Sequence, residues 1–183
     1  SAGKLFMQNK NGSFQLQVQS CFEKDKVCED IGALFFDADL DKDPDLYVVS
    51  GGNEFPKEST ELQDRFYLNN GKGVFTKTTD RLPVMLTSGS CVKAGDVDND
   101  GDPDLFIGGR LVPGSYPLAP RSCILENNGR GYFKDVTENY NKSLMNPGMV
   151  TDAVWTDFNG DKHLDLIIVG EWMGIRVFQH DGK

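Results

Sequence analysis

The stretch Asp96-Val97-Asp98-Asn99-Asp100-Gly101-Asp102-Pro103-Asp104, running into Leu105-Phe106-Ile107-Gly108, decides how this chain is read. Carboxylates at alternate positions repel each other, and they stand directly before an apolar run of strand-forming residues. The pattern occurs three times. Upstream stands Asp37-Ala38-Asp39-Leu40-Asp41-Lys42-Asp43-Pro44-Asp45 before Leu46-Tyr47-Val48-Val49. Downstream stands Asp157-Phe158-Asn159-Gly160-Asp161-Lys162-His163-Leu164-Asp165 before Leu166-Ile167-Ile168-Val169. The first residues lie 59 and then 61 positions apart, so the chain is a repeat with a period near 60.

A second signature keeps step with the first. Phe66-Tyr67-Leu68-Asn69-Asn70-Gly71-Lys72-Gly73-Val74-Phe75 matches Ile124-Leu125-Glu126-Asn127-Asn128-Gly129-Arg130-Gly131-Tyr132-Phe133. A looser copy opens the chain at Leu5-Phe6-Met7-Gln8 through Asn11-Gly12-Ser13-Phe14, and another begins at Ile175-Arg176-Val177-Phe178 and reaches Asp181-Gly182. Asn-Gly between short apolar runs marks a hairpin, because both residues accept the positive φ of a tight turn. Each unit therefore reads as four strands. One precedes the Asp loop (33–36, 92–95, 153–156), one follows it, and the hairpin supplies two more. No stretch has helical spacing longer than a turn or two.

The expected fold is all-β, a partial β-propeller of four-stranded antiparallel blades. A β-sandwich with coincidental internal similarity is the competing architecture. The expected boundaries are an outer hairpin of one blade at 3–22, blades at 31–80 and 90–138, and an incomplete blade at 150–179. Such an arc does not close a ring. It is expected either to be a segment of a longer exported protein or to associate head to tail. In the second case the strand 14–19 of one chain completes the blade that ends near Phe178 of another.

The loops suit a hard divalent cation, which takes six to eight oxygen ligands. Side chains at positions 1, 3, 5 and 9 and the carbonyl at position 7 give three sites: Asp37, Asp39, Asp41, Asp43 and Asp45; Asp96, Asp98, Asp100, Asp102 and Asp104; Asp157, Asn159, Asp161, His163 and Asp165. An all-oxygen, carboxylate-crowded donor set favours Ca²⁺ over Mg²⁺, which keeps its waters. Up to three Ca²⁺ are expected. Gly101 at position 6 suits a sharp turn, whereas Lys42 and Lys162 in that place must take an unfavourable φ or alter the turn. The second site is expected to be the strongest, and the third, with an Asn for an Asp, the weakest. An EF-hand needs an acid at position 12, where Val48, Ile107 and Ile168 stand instead. An ordinary solvated acidic surface remains the bland alternative.

With its loops in triplicate, the first two followed by an Asn-Asn-Gly hairpin, the chain resembles the FG-GAP/VCBS repeat family of integrin α-subunit propellers and bacterial surface proteins. The stretch Asn127-Asn128-Gly129-Arg130-Gly131-Tyr132-Phe133-Lys134-Asp135-Val136-Thr137 further resembles its cartilage acidic protein and ASPIC/UnbV branch. The resemblance implies Ca²⁺ in the loops, with the same ligand positions, and blades of a propeller that usually has seven. Lys42 and Lys162 depart from the usual Gly, which puts full occupancy of those two loops in question.

Composition narrows the function. Of 28 Asp and Glu residues, 13 lie in the three loops, and the formal net charge is −9, unsuited to nucleic acid. No apolar run is long enough to cross a bilayer. The polar opening Ser1-Ala2-Gly3-Lys4 carries no secretory signal and reads as a trimmed end, compatible with an extracellular, cell-surface or periplasmic protein. Among Cys21, Cys28, Cys91 and Cys123, a Cys21–Cys28 disulfide fits export, while Cys91 reads as a small buried hydrophobe.

No nucleophile elbow, P-loop or zinc-protease motif occurs, and Gly71-Lys72-Gly73 and Gly129-Arg130-Gly131 read as turns. No catalytic residue is assigned, and no enzyme activity is expected. Trp155 is expected in the core and His180 in solvent. Trp172 and the loop 110–121, with Tyr116, are candidate binding surfaces for a protein or glycan. Asn11-Gly12-Ser13 and Asn141-Lys142-Ser143 match the N-glycosylation pattern. The expected role is a calcium-binding adhesion or binding scaffold. The alternative is part of a larger glycan-processing enzyme or a lectin.

Overall fold

The computed structural model describes residues 1–180 and 182; the Asp181 of the last hairpin signature lies outside the described residues. Each Asp loop joins two antiparallel strands. Strands β1 (Leu5–Gln8) and β2 (Phe14–Gln17) form a two-stranded sheet. Then come β3 (Asp30–Phe36), β4 (Asp45–Ser50), β5 (Arg65–Leu68) and β6 (Thr76–Lys77), in that spatial order. The next sheet holds β7 (Ser88–Gly95), β8 (Asp104–Leu111), β9 (Cys123–Glu126) and β10 (Lys134–Asp135). The last holds β11 (Met149–Thr156), β12 (Asp165–Glu171) and β13 (Arg176–Phe178). This is a propeller-like, all-β arrangement of four antiparallel sheets, and the described residues form no closed ring.

The register repeats with the sequence. Phe36 faces Asp45, Gly95 faces Asp104 and Thr156 faces Asp165, so each loop is closed by the same pair. A bulge also recurs. Ile31, Ser90 and Thr151 are the unpaired residues of β3, β7 and β11, each six positions before its loop. Bulges increase local twist and re-aim a side chain, and their repetition marks this one as part of the design.

Alternation of side chains sends each sheet's two faces to two neighbours. Tyr47, Val49 and Phe66 pack with Leu105, Ile107 and Leu125 in one core; Phe106 and Ile124 pack with Leu166 and Ile168 in the next. The other face of the first four-stranded sheet buries Leu46, Val48 and Tyr67 against Cys21 and Phe75, with Phe35 left exposed, whereas Val154, Val169 and Val177 on the last sheet are exposed. Trp155 packs against the second core and donates from Nε1 to the Lys93 carbonyl at 3.3 Å. Cys91 is buried there, as its apolar context implies.

Two short helices, α1 (Ser20–Lys24) and α2 (Thr137–Tyr140), were below the reach of periodicity. The first corrects two expectations. The strand expected to run to residue 19 ends at Gln17, because the Gln19 side chain grips the 69–75 hairpin. Its Nε2 donates to the Gly73 carbonyl at 2.8 Å, and its Oε1 accepts from the Phe75 amide at 3.1 Å. The disulfide is absent as well: Cys21 and Cys28 are free, and the Cys21 thiol, buried on α1, donates to the Phe75 carbonyl at 3.4 Å. No helix among the described residues is long and apolar enough to cross a membrane.

Candidate metal centre

The three Asp loops and the hairpins beside them lie at one end of the sheets, and one carboxylate holds each pair together. Asp45 accepts from the Ala38 amide at 3.3 Å and from the Asn69 amide at 2.9 Å. Asp104 does the same with Val97 and Asn127 at 2.9 and 2.8 Å, and Asp165 with Phe158 and His180 at 3.3 and 2.8 Å. Position 9 is thus a structural clasp as well as a candidate ligand. Position 1 curls the loop: Asp37 accepts from the amides of Asp41 and Lys42, and Asp96 from those of Asp100 and Gly101, at 3.0–3.1 Å.

These bonds consume lone pairs without neutralising the charge. Carboxylate oxygens of Asp37, Asp39 and Asp41 lie within 4.8 Å of one another, as do those of Asp96, Asp98 and Asp104. No ion pair among the described residues involves a loop carboxylate. Three side-chain oxygens, Oδ1 of Asp39, Asp43 and Asp102, are buried with no hydrogen-bond donor. Burial first, and neighbouring carboxylates with it, raises the pKa of Asp39, Asp43 and Asp98. The Asp45 and Asp102 carboxyls are pushed up to about 6 and that of Asp104 to about 7, burial again leading. Orphaned oxygens among crowded carboxylates fit a hard cation on chemical grounds.

The third loop differs. Its Asn159 donates from Nδ2 to Asp161 Oδ2 at 2.9 Å, and the Gly160, Asp161 and Lys162 amides donate to Asp157. The His163 amide and then Asn159 hold the Asp161 carboxyl below the usual carboxylate range. The His163 ring stacks on His180 at 5.0 Å and meets Asn99 Nδ2 at 3.2 Å. Among the described residues this loop forms no carboxylate triad of the kind seen in the first two.

Backbone conformation answers the lysine question. Lys42 and Lys162 take φ of 74° and 73°, matching the positive φ of Gly101. Position 4 shares the demand, which sequence reading missed: Leu40 and Asn99 have φ of 62°, and Gly160 of 80°. Left-handed backbone costs a non-Gly residue about 1–2 kcal/mol, partly offset by the greater unfolded-state entropy of Gly. Leu40→Asn and Lys42→Gly are each expected to stabilise the fold by about 0.5–1 kcal/mol, read as a rise in urea midpoint. Unchanged midpoints in both would mean that the first loop relieves the strain in another way.

At the opposite end lies a second buried acid. Asp64 accepts from the Tyr47 hydroxyl and the Ser50 amide, both at 2.8 Å, and burial pushes its carboxyl up to about 7. Its folded pKa lies above the unfolded value of about 4. The fold therefore binds the proton more tightly, and stability falls as pH rises from about 4 to about 7. Asp64→Asn keeps both partners, with Nδ2 donating to the tyrosine oxygen, and removes the titration. With the metal loops saturated, its stability relative to the parent is expected to rise across that window by a few kcal/mol. Parallel urea-unfolding profiles from pH 4 to 8 would contradict this.

No curated protein sequence matches the chain. Residues 37–107, from the opening carboxylate of the first loop to the strand that follows the second, match the family model of the FG-GAP-like repeat.

Proposed function

We propose that the Asp loops are Ca²⁺ sites and that the chain is a calcium-stabilised propeller segment serving as an extracellular or cell-surface binding scaffold. The observation that carries this reading is the set of buried, donorless oxygens on Asp39, Asp43 and Asp102 among carboxylates that nothing neutralises. Asp37, Asp39, Asp41 and Asp45 would hold one ion, with Asp43. Asp96, Asp98, Asp100 and Asp104 would hold another, with Asp102. Asp157, Asn159, Asp161 and Asp165 would hold a third, with the His163 carbonyl. A bound ion supplies the missing positive charge and fixes the turn between two strands.

The reading ranks the sites. The third loop already satisfies its own side chains, so it gains least from a cation. Calorimetric titration of Ca²⁺ into chelator-stripped protein tests the reading. Two tight sites and a weaker third are expected; no heat of binding at millimolar Ca²⁺ from folded protein would overturn the reading.

A further inference from the structure

The loops between the second and third strands of each sheet lie at the end away from the metal loops, and there they converge. Asn53 Oδ1 accepts from the Gly114 amide at 2.9 Å. Arg110, near the end of β8, places Nη2 at 2.5 Å from Glu171 Oε2, at the end of β12. Tyr116 donates its hydroxyl to the other oxygen of Glu171 at 2.8 Å, and Trp172 donates from Nε1 to that same hydroxyl. Two candidate surfaces that the sequence offered separately are thus one cluster, its aromatic members 56 residues apart.

Its construction is unusual for idle surface. Trp172 is 81% exposed and Tyr116 58%, yet both rings are fixed by hydrogen bonds at their polar edges. Trp172 also holds a φ of 56°, which a bulky side chain adopts only when its surroundings impose it. Beside Arg110 opens a cavity of about 340 Å³ lined by Ile31, Ser90 and Thr151, the three repeated bulge residues. The strands β3, β7 and β11 therefore bring the same position to a depression that Arg110 of the cluster also lines.

We propose that Trp172 and Tyr116, with Arg110 beside them, form a platform for a neutral pyranose ring of a glycan. This rests on the scaffold reading and names its ligand class. The remaining free chemistry selects the class. Indole N–H and phenol O–H are consumed, so the carbon faces of the rings are what a ligand meets, and a sugar offers C–H groups to such faces. The unused N–H donors of Arg110 suit hydroxyl oxygens. A proline-rich peptide docks in aromatic-lined grooves, but its carbonyls would need donors that the tyrosine and tryptophan no longer have free. A quaternary ammonium would find no unpaired carboxylate beside the rings, since Arg110 and Tyr116 hold both oxygens of Glu171, and a polyanionic glycan would face a chain whose formal charge is negative.

The test uses the whole chain, saturated with Ca²⁺, and saturation-transfer NMR with the methyl glycosides of glucose, galactose, mannose and N-acetylglucosamine. Transfer to ring C–H protons of at least one glycoside is expected, with a change in tryptophan fluorescence. In Trp172→Ala the affinity is expected to fall about tenfold, the scale of one lost aromatic contact, with an unchanged melting temperature. No transfer to any glycoside, or transfer undiminished in Trp172→Ala, would overturn the proposal. So would binding of tetramethylammonium or a decaproline peptide in place of the sugars. Failure here with intact Ca²⁺ titration removes only the glycan assignment; failure of the titration alone removes the calcium reading.

Discussion

Chelator-stripped protein is expected to melt roughly 10–20 °C below the Ca²⁺-loaded form. An ion that binds only the folded state at about 100 times its Kd contributes about 2.7 kcal/mol. Two filled loops give about 5 kcal/mol, and each kcal/mol moves the midpoint of a domain of this size by about 2–4 °C. The effect is large because the stripped loops oppose folding. Asp45, Asp102 and Asp104 have folded pKa values of about 6, 6 and 7, above the unfolded value of about 4. The stripped fold therefore gains protons on folding and loses stability as pH rises from about 4 to about 7. The gap between stripped and loaded melts should accordingly be narrow near pH 5 and widest above pH 7. A gap below about 2 °C at pH 7.5, with millimolar Ca²⁺, would show that the carboxylates are accommodated without an ion.

The repeating part of the fold was legible because it is built from local signals. The Asp loops sit where they were expected, between strands of matching register, and the Asn-Gly hairpins follow in phase. What escaped is not local. The bulges at Ile31, Ser90 and Thr151 leave no mark on composition, and helices of four or five residues fall below any period. The positive φ at Leu40 contradicts the residue's preference and is imposed by the loop's closure. A disulfide inferred from spacing and compartment failed because Cys21 faces the core from a helix. Within the candidate site, the carboxylates were readable one loop at a time. The clasp at position 9 needed the third strand, and the union of Trp172 with Tyr116 needed two sheets side by side.

The same lesson gives the second large effect, at a residue that sequence marked only as a turn. Asn127 is buried and makes five hydrogen bonds. Its amide donates to Asp104 Oδ1 at 2.8 Å, and its Oδ1 accepts from Asn128 and Gly131 at 2.9 and 3.1 Å. Its Nδ2 donates to the Pro103 carbonyl at 3.3 Å and, across to the neighbouring sheet, to the Ala38 carbonyl at 2.8 Å. One side chain thus ties the first Asp loop to the second. Asn127→Ala strips four of these bonds and leaves Ala38 O and Gly131 N buried without partners. Each such group costs about 1–3 kcal/mol, so a loss of about 3–5 kcal/mol and a fall in melting temperature near 10 °C are expected. Asn69 is the internal control. It holds its own hairpin and the Pro44 carbonyl in the same way but makes no bond to another sheet. Asn69→Ala should therefore cost about 1–2 kcal/mol. Thermal melts of both variants, with and without Ca²⁺, separate hairpin from bridge. If the two lose equal stability, the bond between Asn127 and Ala38 adds nothing to what the shared core already supplies. If Asn127→Ala loses more, and also weakens Ca²⁺ binding at both loops, the Asn127 amide couples the two metal loops in addition to the core that their sheets share.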